Sequence, residues 1–102
     1  DTDLIFAFAS FLHLNKTELK NVLQNIYTRL SDNGIVYISV KRGTYKRYVE
    51  KKDWGHRVFY FYQLNDFKNL ALKTKFTIVF SNEHNILGVD WLVVALQKNR
   101  TQ

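Results

Sequence analysis

Apolar and polar positions alternate with a different period in each part of this chain. Leu4 to Ala9 is an unbroken apolar run that opens into polar Ser10. Apolar residues on both faces suit a strand buried on both sides, as in a parallel sheet covered by helices. From Lys16 to Leu30 the period becomes helical. Leu19, Val22, Leu23, Ile26, Tyr27 and Leu30 share one face, and Lys20, Asn21, Gln24 and Asn25 look away from it. Asn15 and Glu18 have capping-box spacing, and Asn33-Gly34 supplies a left-handed stop. Ile35 to Val40 then reads as a second buried strand, with Ser39 near its carboxyl end. A helix between two such strands implies a right-handed crossover in a parallel sheet.

The second half is patterned less cleanly. Lys41 to Lys52 is basic and reads as a solvated, mobile flap. Phe59-Tyr60-Phe61-Tyr62 follows, and alternation puts the two Phe on one side and the two Tyr on the other. Phe67, Leu70 and Ala71 form the stripe of a short helix over Asn65 to Lys73. Phe76 to Ser81 and Trp91 to Gln97 are strands, joined by a loop over Asn82 to Asp90 that Gly88 breaks. Their proximity suggests a hairpin and one antiparallel strand in a mostly parallel sheet. The fold class is therefore α/β, in strand-helix-strand-helix-strand-strand order, with residues 1–102 forming a single partial domain.

Composition narrows the function. With 102 residues there is material for one core. No run of about 18 apolar residues and no charged-then-apolar leader occurs, so no membrane partner is expected and the expected compartment is the cytoplasm. There is no Cys, and disulfide and thiolate-metal chemistry drop out. There is no Met either, and the chain opens directly on a strand, so it reads as a piece of something longer. The net charge of +6 invites a polyanion, although abundant Lys and Asn with no Pro also fit a compositional bias. Lys41 to Lys52, interleaved with Tyr45 and Tyr48, would suit a basic nucleic-acid-binding module.

Other chemistries find little footing. No Gly-x-Ser-x-Gly elbow, Gly-x-Gly-x-x-Gly turn or Walker pattern is present. His13, His56 and His84 lack metal-ligand spacing. Asp1 and Asp3 would share one face of a strand and are the one carboxylate pair of note.

Four pieces taken together carry a resemblance. They are Asp3-Leu-Ile-Phe-Ala-Phe-Ala-Ser-Phe-Leu-His13, Leu30-Ser-Asp-Asn-Gly-Ile-Val-Tyr-Ile-Ser-Val-Lys41, Arg57-Val-Phe-Tyr-Phe-Tyr62 and Asp90-Trp91-Leu92. In order and spacing this resembles the C-terminal half of a class I S-adenosylmethionine (SAM)-dependent methyltransferase, a Rossmann-like sheet with an antiparallel terminal strand. The resemblance implies SAM as cofactor, S-adenosylhomocysteine as product and a small-molecule acceptor. It implies that the glycine-rich donor-binding turn precedes Asp1, so that this chain alone would be inactive. Ala9 and Ser10 would lie beside the donor, and His13 is the candidate general base or, alternatively, a histidine that orients its loop. Lys41, Arg57 and Tyr60 would meet the acceptor. Where the family usually carries glycine after the last helix this chain has Lys75, and a non-glycine residue there costs about 1 kcal/mol, so a frayed or differently shaped end is expected. The strand Leu4 to Ala9 would be an unprotected edge that recruits a second copy or a partner chain. A non-catalytic interaction domain retaining this fold is the remaining alternative.

Overall fold

The computed structural model describes residues 4–10 and 13–99. Its elements are β1 (Leu4–Ser10), α1 (Lys16–Arg29), β2 (Leu30–Arg42), β3 (Lys46–Lys52), β4 (Gly55–Tyr62), α2 (Leu64–Thr74), β5 (Phe76–Ile86) and β6 (Val89–Lys98). The six strands form one sheet with β2 near its centre. Strand β6 runs antiparallel to β2 from Ile35 to Lys41 and so fills one edge. The other edge is shared. Parallel β1 pairs with β2 as far as Ser39, and parallel β4 takes over at Lys41 and Arg42. Strands β3 and β5 are antiparallel to β4 and β6.

The core follows from alternation along β2. Val36, Ile38 and Val40 point to one face and pair with Leu96, Val94 and Leu92 of β6, all six without exposure. Leu19 and Leu23 of α1 join them, with Phe67, Leu70 and Ala71 of α2. Burying each large apolar side chain contributes roughly 1.5–3 kcal/mol. Ile35, Tyr37, Ser39 and Lys41 point the other way and are only half-buried, so β2 is not buried equally on both faces. Lys98 ends β6 inside this core. Its ammonium donates to the Leu30 carbonyl at 2.7 Å and sits 4.4 Å over the Tyr27 ring, tying β6 to the joint between α1 and β2.

Both helices start as their sequences dictate. Asn15 Oδ1 accepts from the Glu18 amide at 2.8 Å while Glu18 Oε1 accepts from the Asn15 amide at 3.0 Å. In α2, Asp66 Oδ2 accepts from the Gln63 amide at 2.8 Å.

Four expectations need correction. Lys41 to Lys52 is no flap: Lys41 and Arg42 finish β2, and Lys46 to Lys52 is β3, paired with β4 along its whole length. The predicted strand-helix-strand-helix-strand-strand order therefore gains two strands between β2 and α2. The supposed loop from Asn82 to Asp90 is mostly ladder. Pairing continues to Ile86 and Val89 around a two-residue turn, with Leu87 at φ 51° and Gly88 at φ 84°. That is the mirror-image turn whose twist matches the strands it joins. Helix α1 ends at Arg29 with Leu30 extended, so the left-handed Asn33 (φ 66°) serves an irregularity in β2, where Leu4 pairs with Leu30 but Phe6 pairs with Ile35. Finally, Lys75 does adopt the left-handed cap (φ 62°) but is not frayed. Its amide donates to the Ala71 carbonyl, and its own carbonyl accepts from Asn99 at 3.0 Å.

Candidate functional site at the carboxyl ends of the central strands

Strand β1 ends alongside β2, with Ala9 opposite Ile38 and Ser10 opposite Ser39, while β2 runs on to Arg42. Ala9 and Ser10 are thus the last two residues of β1. Phe11, Leu12, Asp1 and Asp3, which the sequence reading also touches, lie outside the described residues. The chain resumes at His13 and enters α1 at Lys16.

The short segment before α1 is held from three directions by residues far away in sequence. His13 Nδ1 donates to the Val58 carbonyl of β4 at 2.6 Å. Since a carbonyl can only accept, a proton sits on Nδ1, and in the neutral ring the lone pair is on Nε2. The Tyr62 hydroxyl donates to the Leu14 carbonyl at 2.6 Å, and Tyr45 Oη accepts from the Lys16 amide at 3.2 Å. Lys16 folds back over the Tyr45 ring at 4.3 Å and pairs with Asp66 at 3.0 Å. Burial first, and then the neighbouring Tyr45, hold the Tyr62 hydroxyl above the ordinary phenol range, so it stays a donor.

The turn that delivers Tyr45 is tight. Gly43 donates to the Tyr62 carbonyl at 2.9 Å, and a Cβ at Gly43 would lie 3.3 Å from that of Phe61.

The other predicted residues divide between the two faces of β4. Tyr60 shares the face of Tyr62, stacks on Tyr45 with centroids 5.9 Å apart and packs against the core. Lys41 and Arg57 meet on the opposite face around Phe59. The Lys41 ammonium lies 3.8 Å from the ring centroid and the Arg57 guanidinium carbon 5.1 Å. Tyr48 stacks on the same ring at 5.5 Å. Lys41, Tyr48 and Phe59, with Arg42, Glu50, Phe61 and Gly88–Asp90, border an open groove of about 380 Å³. Arg57 lies outside that lining, and its Nε is buried without a hydrogen-bond partner. The structure thus joins His13 to β4 and joins Lys41 to Arg57, but sets Tyr60 apart from that pair.

Sequence reasoning missed Tyr45 and Tyr62 as the holders of the loop. Tyr45 stands out locally as an aromatic within the basic Lys41 to Lys52 segment, and Tyr62 as the end of the Phe59 to Tyr62 run. Among the described residues no cluster of three His, Asp or Glu could hold a metal ion, and no helix is long and apolar enough to cross a membrane.

No family model matches the sequence, and no curated protein matches it. Solved structures do match. The 1,6-didemethyltoxoflavin-N1-methyltransferase of Burkholderia thailandensis, with 1,6-didemethyltoxoflavin and S-adenosylhomocysteine bound, superposes with a TM-score of 0.77. The identity is 19%, over 98% of this chain and 47% of that one. A SAM-dependent methyltransferase of Methanosarcina mazei gives 0.83 at 10% identity, over 99% of this chain and 62% of that one. One from Mesorhizobium loti gives 0.65 at 12%, over 96% and 63%. The chain has the Rossmann-like fold of the class I SAM-dependent methyltransferases. It spans about half the length of the first of these structures and less than two thirds of the other two.

Proposed function

We propose that this chain forms one half of a SAM-dependent methyltransferase acting on a small-molecule acceptor. The observation that supports this most is His13, three residues beyond the carboxyl end of β1 and fixed through Nδ1 to the β4 backbone, which leaves Nε2 as the nitrogen to act as base. Ligands of open α/β sheets gather at that end. The bound 1,6-didemethyltoxoflavin in the Burkholderia thailandensis enzyme supports a small acceptor.

The residues present fit one wall of a donor site. Ala9 and Ser10 end β1 with little side-chain bulk, while the sequence holds no glycine-rich turn to grip a nucleotide. When bound, SAM supplies an electrophilic methyl carbon on a good leaving group, so positioning carries most of the rate. Ala9 and Ser10 would flank the methionine portion of the donor. His13 Nε2 would take the proton of an acceptor hydroxyl or amine, with the Val58 carbonyl holding the tautomer. Lys41 and Arg57, gathered around Phe59, would hold an anionic group of the acceptor. Tyr60 would back the His13 side through its stack with Tyr45. The β1 edge turned away from β2 carries no strand among the described residues, and a second copy or the complementary half would pair there.

Calorimetry with SAM tests the division of labour. Millimolar or no affinity is expected for this chain, and tight binding would refute the half-site reading. In the intact enzyme, His13→Asn is expected to lower kcat by about 10²- to 10⁴-fold with SAM affinity unchanged. An unaltered kcat would remove His13 as the base. Light scattering is expected to show association of the isolated chain, and a monomer at high concentration would refute the edge pairing.

A further inference from the structure

The charge of this protein is gathered in one place. Between Lys41 and Arg57 lie seven of its fifteen Lys and Arg and only two of its nine carboxylates. The remainder of the chain is close to neutral. This stretch is the end of β2 and the β3–β4 ribbon, and β3 pairs with nothing but β4 among the described residues. Alternation distributes the cations over both ribbon faces: Lys46 and Lys52 on one, Arg47 and Lys51 on the other. All four are exposed, and of these only Lys52 has a short ion pair, 3.3 Å to Glu50.

Aromatic rings accompany them. Trp54, in the turn at the ribbon tip, is 72% exposed, and Tyr48 on the β3 face is 45% exposed. Lysines alone would be explained as guards of a free sheet edge. An indole held out beyond the last ladder pair guards nothing. Exposed rings beside a line of cations are what a single-stranded nucleic acid needs: planes for its bases and charges for its phosphates. A membrane surface fits less well. It would meet the tip alone, whereas the cations run along the seven-residue β3, roughly 23 Å at strand rise.

We propose that the β3–β4 ribbon binds single-stranded nucleic acid, with Lys46, Arg47, Lys51 and Lys52 on phosphates and Trp54 under a base. The inference goes beyond methyl transfer and stands without it, because none of these five side chains belongs to the site around His13 and Lys41.

Fluorescence anisotropy of the intact protein with a labelled oligo(dT) of about 20 nucleotides tests it. Four phosphate contacts give a log–log salt slope near −3, so affinity is expected to fall about 300-fold from roughly 25 to 200 mM salt. Lys51→Ala with Lys52→Ala is expected to flatten the slope by about 1.4. Trp54→Ala is expected to weaken binding about 5- to 150-fold with the slope kept and the circular dichroism unchanged. No binding at low salt, or variants that bind as wild type, would overturn the proposal. So would a blue shift of Trp54 emission on phosphatidylserine vesicles with no response to the oligonucleotide.

Discussion

Replacing Tyr62 with Phe removes one oxygen from a side chain with no exposure and deprives the Leu14 carbonyl of its donor at 2.6 Å. A buried acceptor left without a partner costs about 1–3 kcal/mol. Leu14 is only half-buried, so water recovers part of the loss and about 1–2 kcal/mol is expected. In a domain near 100 residues each kcal/mol moves the midpoint by about 4–8 °C, giving a drop of roughly 4–16 °C. The ring survives in Phe, and with it the contacts to Tyr45 at 5.3 Å and Phe67 at 5.5 Å. Tyr62→Leu loses both as well, at about 0.5–1.5 kcal/mol each, and falls further. The pH dependence has a definite sign. The folded-state pKa of Tyr62 is raised, so below about pH 10 both states keep the proton and nothing changes. Above that, the unfolded chain releases its proton first and stability falls as pH rises. Phe lacks this loss, so the gap between variant and wild type narrows above pH 10. Thermal melts by far-ultraviolet circular dichroism at about pH 8 and pH 10.5 measure both effects. A variant melting with wild type at pH 8, or a gap that does not narrow at pH 10.5, would refute the reasoning.

Lys98→Met keeps the aliphatic stem but strands the Leu30 carbonyl; chemical denaturation is expected to show a loss of about 1–3 kcal/mol. Gly34→Ala places a Cβ 2.8 Å from the Ser31 carbonyl oxygen, and the backbone shift it forces is expected to cost about 1–3 kcal/mol in the same assay. Asp66→Ala, which unties the Gln63 amide as well as Lys16, is expected to cost about 1 kcal/mol. Lys16→Met, at the half-exposed end of that ion pair, is expected to cost less than about 0.5 kcal/mol. Equal costs at the two ends would contradict the cap.

Where local chemistry decides structure, the sequence was readable. The Asn15–Glu18 box and the Leu19–Leu23 stripe mark α1 unaided, and Gly88 marks the hairpin turn. Strand β3 was not readable, because Lys-Arg-Tyr-Val-Glu-Lys-Lys is polar on both faces. It is a strand through its hydrogen bonds to β4, which no period within β3 records. Residues 82–86 failed for the same reason: they are exposed ladder without an apolar face. At the candidate site, His13 stood out by its chemistry and its position after an apolar strand. The carbonyl that fixes its ring is 45 residues away, and Tyr62 reaches Leu14 across 48. Lys98, buried against Leu30, reads from sequence as one more surface cation near a chain end. Such long-range satisfaction of backbone groups leaves no mark on spacing.

Because β1 and β4 occupy one edge of β2 in succession, with β1 paired as far as Ser39 and β4 from Lys41, the two parallel strands share a single line of backbone partners. The length of β2 therefore sets how much room lies between the two. Insertions in the Asp53–Trp54 turn leave that interval untouched, whereas a single residue added between Ser39 and Lys41 shifts where β4 begins to pair relative to the end of β1.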